Sequence, residues 1–192
     1  LREYPVKANV SVAIYNGQLV QLSTAGLPAG VTSSPVAYQI SGTSAAATAG
    51  IMGVMQGCSY ISAEGQLLFK NFLPANLVTG GASEVVIFVN DDPNAVFQIQ
   101  GSETLGNFNS TNAAGAVGMN ASLATLSAGS TTTGKSGMAL TVGTNGGSLA
   151  ATETLAMRII GVVPGTETDA FPEFLVKYNC GVHSYTNSLG LA

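Results

Sequence analysis

The stretch Ala82 to Ser102, ASEVVIFVNDDPNAVFQIQGS, constrains this chain more than any other. Val85 to Val89 is an unbroken apolar run rich in β-branched residues, and Val96, Phe97 and Ile99 begin a second one after a few turn-forming residues. Runs of that length, rich in β-branched and aromatic side chains and bounded by Asn, Asp and Pro, read as strand, turn, strand, here a hairpin. Pro93 fixes its own φ and pushes Asp92 toward extended geometry, while Asp91, Asp92 and Asn94 can bond their own backbone. The plain reading is a surface β-turn. A sharper one makes Asp91 and Asp92 half of a cation site, because hard ions want clustered oxygen ligands. No glycine-punctuated Asp/Asn loop with a closing Glu follows, so neither a metal nor a cofactor is expected.

The rest of the chain repeats the pattern of short apolar runs between turn signals. Val10, Val12 and Ile14 alternate before Asn16-Gly17, and Gln18, Val20 and Leu22 resume after it, which predicts a hairpin closed by a type I′ turn. Val36 to Ile40 is a short strand. Ile51 to Ile61 carries Met52, Val54, Cys58 and Tyr60 on one parity, with bulges or a bend expected at Gly53 and Gly57. Leu67 to Phe72 is a further strand, stopped by Leu73-Pro74. Gly115 to Leu126, Met138 to Val142, Leu155 to Val163 and Phe174 to Val182 alternate with period 2, and the polar segment from Gly101 to Thr111 has Phe108 as its one large anchor. Short strands separated by turns predict an all-β fold, a sandwich or barrel of short antiparallel strands, with an extended N-terminal arm over residues 1–9. The turn-rich connector Pro74 to Ser83 suggests two parts: 1–80, holding β hairpins and the arm, read as a free docking arm because termini stay mobile unless a partner ties them down, and 81–192, a β-sandwich or barrel.

Charge then restricts function. Six basic and ten acidic side chains in 192 residues give a charged fraction of 8%, against about 25% in an ordinary soluble protein. So sparse a set cannot cover the surface, and self-association or burial against a partner is expected. The six basic residues stand singly, so nothing forms the basic stripe that nucleic acid needs. Apolar runs stop far short of the ~20 residues of a membrane-spanning helix, and no integral membrane protein is expected. The opening LREYPVKANV has neither an initiating Met nor a basic-then-apolar leader, so secretion is not expected. The Asn-x-Ser/Thr triplets at Asn9, Asn109 and Asn120 therefore carry no weight.

Chemistry is hard to find. GSTTTGKSG, Gly129 to Gly137, has the spacing of a phosphate loop around Lys135, but the alternating run after it reads as a strand and not as the helix that would hold phosphate. His183, the one histidine, is predicted at the end of a strand among polar residues. No Gly-x-Ser-x-Gly elbow accompanies it, so it reads as structural. No pair of carboxylates is marked for glycosidase work. Cys58 and Cys180 both sit in strand-like runs; two buried thiols are the plain reading and one long-range disulfide the alternative. No catalytic residue is assigned, and the chain is not expected to be an enzyme.

In order, VIFVNDDPNAVFQIQG, GAVGMNASL, STTTGKSGMAL, LAMRIIGVVPG and FLVKYNCGVHSY resemble the capsid decoration, or cement, proteins and related head proteins of tailed bacteriophages, especially those of cyanobacteria and marine hosts, a resemblance that covers roughly residues 68–185. The resemblance implies a virion protein on the outer capsid surface. Its partners would be the major capsid protein and further copies of itself, a homotrimer ahead of a homodimer, and it would stabilise contacts between capsomers. The alternatives are another virion structural protein, such as a tail, fibre or small coat component, or a carbohydrate-binding β-module. The absence of Trp leaves the last few stacking platforms for sugars.

Overall fold

The computed structural model describes residues 1–6, 10, 12–23, 36–39, 51–103, 115–143, 148–167, 169–179, 183 and 186. The protein is all-β, as expected. Its described strands fall into two compact units, and one passage of the chain between them lies between Asp92 and Pro93. The connector over residues 74–83 lies within the first unit. The strand readings that begin at Val36, Ile51, Leu67, Met138, Leu155 and Phe174 each overlap an observed strand. Residues 24–35 and 41–50, Phe108 and Cys180 lie outside the described residues.

The first unit is built on a six-stranded sheet. Its central strand is β5 (Ile51–Ile61), flanked by β8 (Ser83–Asn90) on one side and, on the other, by β3 (Leu19–Ser23) and β6 (Leu67–Lys70) along successive stretches. The sheet continues from β8 to β1 (Arg2–Pro5) and from β3 to β4 (Val36–Gln39), and these two edges approach each other, so the sheet curls toward a barrel. Bulges occur where the glycines of β5 forecast them: the register with β8 shifts between Met55 and Gly57, and that with β3 beside Gly53. A Cβ on Gly53 would lie 2.4 Å from the Asn90 carbonyl oxygen, so only glycine lets the end of β8 come this close. One expectation fails. In place of one buried parity, every residue of β5 from Ile51 to Tyr60 except Gln56 is buried. The bulge at Gln56 resets the alternation, and a central strand covered on both sides has no solvent face.

Two predicted hairpins are also corrected. Tyr15 to Gln18 does make a tight turn, closed by Gln18 N donating to Tyr15 O at 3.0 Å and Tyr15 N donating to Gln18 Oε1 at 2.9 Å. Only Gly17 has a left-handed φ, +84°, the type II pattern, whose twist splays the flanking strands instead of pairing them. Accordingly β2 (Ile14–Tyr15) pairs with β7 (Phe72–Leu73), and β3 pairs with β4 and β5. The predicted strand Leu67 to Phe72 is thus two strands, broken at Asn71. Likewise β8 and β9 (Phe97–Gln100) flank the predicted turn, but β8 pairs with β1 and β5 while β9 pairs with β13 (Glu173–Tyr178). Asp92-Pro93 is a crossover between sheets and not a hairpin loop.

The N-terminal segment is extended, but it is an edge strand and not a free docking arm. β1 pairs antiparallel with β8 from Arg2↔Val89 to Pro5↔Val86, and Tyr4 is buried in the core with Met52, Met55, Ile87 and Val89.

The second unit holds a five-stranded sheet in the order β11 (Gly137–Thr141), β10 (Asn120–Ser127), β12 (Met157–Val162), β13, β9. Alternation is faithful here. Met157 and Ile159 face inward against exposed Arg158 and Ile160, and Phe174, Val176 and Tyr178 are buried. The strand expected from Gly115 begins at Asn120, after a turn in which Val117 is exposed. Asn120 is the reason: its side chain donates to Thr152 O at 2.9 Å and accepts from Arg158 Nε at 2.9 Å, anchoring the sheet's entry.

Candidate functional site

The residues singled out by sequence are spent on structure. Asp91 follows the last residue of β8 and is 9% exposed. Its Oδ2 accepts from the Tyr4 hydroxyl at 2.8 Å and meets Arg2 Nε at 3.3 Å, while Arg2 also approaches the Tyr4 hydroxyl at 3.5 Å. One carboxylate oxygen thus ties down the edge strand. Asp92 is exposed, and its backbone N–H donates to Asn90 Oδ1 at 3.3 Å. The two carboxylates therefore serve different ends, and among the described residues no set of three or more His, Cys, Asp or Glu side chains is placed to hold a metal.

The loop with phosphate-loop spacing uses its own amides. Gly134 N donates to Ser130 O, Thr133 N to Ser130 Oγ, Lys135 N to Thr133 Oγ1 and Ser136 N to Asn16 O. The Tyr15 ring lies against Gly129, and β11, a strand, follows. Amides so engaged, with no helix behind them, cannot cradle phosphate.

His183 departs from its expected polar setting. It is fully buried, its ring 4.8 Å from that of Tyr178, and its backbone N–H donates to Asn179 O. Nearby polar residues in sequence mask this, because the ring that packs against it is that of Tyr178, at the end of β13. Cys58 is a free, buried thiol that donates to Phe72 O at 3.2 Å, and burial pushes its pKa up to about 11. A thiol held protonated is neither a nucleophile nor a ligand at neutral pH. Asn120, one of the three glycosylation triplets, is buried.

What stands out is a surface. On β6, Leu68 turns toward the core while Leu67 and Phe69 are 62% and 68% exposed. Phe69 stacks on Phe88 of β8 with ring centroids 6.4 Å apart and planes 10° off parallel. The intervening β5 presents Gly57 opposite Phe88 and Ser59 opposite both Phe69 and Val86, so small residues leave room for the rings. β1 extends the same stretch of sheet, with Pro5 opposite Val86 and Glu3 opposite Phe88. Large aromatic and aliphatic groups on one sheet are a typical protein contact surface. The alternation of Leu67 and Phe69 with Leu68 is the sequence signal for this face.

No protein-family model, no curated protein and no solved structure matches the chain.

Proposed function

We propose that this chain is a virion structural protein, a capsid decoration or cement protein that attaches to the outside of an icosahedral phage head, binds the major capsid protein and further copies of itself, and stabilises contacts between capsomers. The observation that carries the reading is the exposed pair Leu67 and Phe69, continued by Phe88, on a chain whose charged fraction is only 8%. Such a surface gains free energy by being covered, at about 25 cal/mol per Å² of apolar area removed from water. The engagement of Asp91, Lys135 and His183 in structural contacts favours a protein that works by attachment over one that works by chemistry. The resemblance of residues 68–185 to decoration proteins supports the same role, and a trimer suits a module that bridges neighbouring capsomers.

The test is attachment. Purified protein added to phage heads lacking it should sediment with them in a fixed stoichiometry, and the Leu67→Ser/Phe69→Ser double variant should not. Failure of the intact protein to sediment with any such head would remove the decoration reading.

A further inference from the structure

The first unit carries a bowl of about 380 Å³ between the β5–β6 turn and the turn-rich segment after β7. Its wall and floor include Tyr60, Leu68, Leu77 and Ala82, of which Leu68 and Leu77 pack against the core from the outside. At the rim stand Ser62 and Glu64. Glu64 is the only charged residue lining the bowl, and the Arg2–Asp91 ion pair lies elsewhere in the unit. The Ser62 hydroxyl accepts from Gln66 N at 3.3 Å, and its hydrogen bond to Glu64, helped by the Glu64 backbone, holds that carboxyl below its ordinary range. The site is therefore an aliphatic trough with an ionised carboxylate at its rim.

We propose that this bowl receives a cationic side chain presented by a partner protein, an arginine in preference to a lysine, with its aliphatic stem on Leu68 and Leu77 and its head on Glu64. Long basic side chains lay apolar stems along apolar surface and keep the charge at the rim. The guanidinium fork matches a carboxylate through two parallel N–H···O bonds, and its weaker hydration makes contact with leucine less costly than for an ammonium group. The charge sign fits, because the one charged residue lining the bowl is an acid on a chain of net charge −4. The inference rests on the attachment reading and adds to the apolar face a charged contact that sets orientation.

N-acetyl-arginine amide titrated into the intact protein, followed by backbone NMR, is the direct probe, with N-acetyl-citrulline amide as its neutral isostere. The expected result is a saturable shift confined to residues around Ser62, Glu64 and Leu77, at least about threefold weaker for the citrulline compound and for the Glu64→Gln variant, as for an exposed ion pair. Glu64 is exposed, so the variant should fold as the parent does. No saturable shift, or equal shifts for the two compounds, overturns the proposal. A bowl that binds the probe, on a Glu64→Gln variant that still attaches to heads as tightly as the parent, would also overturn the partner contact while leaving the attachment reading standing. Failure of the parent itself to attach would defeat that reading instead.

Discussion

Single residues here are legible in sequence as turn formers or core formers, but not as partners. Asp91 reads as a turn residue, and nothing local shows that its carboxylate is bonded to Tyr4, 87 residues away. Removing it strands a buried hydroxyl and an arginine. Asp91→Ala should therefore cost about 1–3 kcal/mol of folding stability by urea titration, with Tyr4→Phe costing less because no buried charge is left unpaired. If Asp91→Ala were neutral, the tie between β1 and β8 would be ornamental. Cys58 provides a pH test. Its folded pKa of about 11 lies above the ordinary thiol value of 9.0, so folding favours the protonated thiol. That stability is fully present below about pH 9 and is lost as pH rises toward 11, by at most about 2–3 kcal/mol. The intact protein should lose this increment over that window relative to Cys58→Ala, and parallel pH–stability curves for the two would show that the thiol is not so buried.

At the scale of elements, most strands could be placed from alternation, whereas their pairing could not. Asn16-Gly17 and Asp92-Pro93 are true turns, yet each sends its flanking strands to different neighbours, because pairing is decided by which faces bury together across long sequence separations. β5 shows the same limit: its glycines announced the bulges, but its burial on both faces depends on β3, β6 and β8. Two expectations follow. Gly53→Ala should destabilise by roughly 2–4 kcal/mol, since the new Cβ meets the Asn90 carbonyl and not a flexible side chain. Deleting residues 1–5 should lower the thermal midpoint by several degrees, because it removes an edge strand and leaves the Tyr4 site and Asp91 uncovered. Unchanged melting after the deletion would restore the free-arm reading.

For the molecule as a whole, scarcity of charge was the informative sequence feature, and the structure gives it an address. Phe69, Leu67 and Phe88 present aromatic and aliphatic surface where an isolated domain would place lysine and glutamate. The address was not legible beforehand because it needs β5, β6 and β8 side by side, with Gly57 and Ser59 making room between the rings. Many weak attachments add up: a protein that binds only the assembled shell stabilises it by about 2.7 kcal/mol per site at one hundred times Kd. The most direct test is thermal challenge of phage heads with and without the protein, read by release of packaged DNA. The account predicts release at a higher temperature when the intact protein is bound, and no such gain with Leu67→Ser/Phe69→Ser. Release at one and the same temperature with and without bound protein would contradict it.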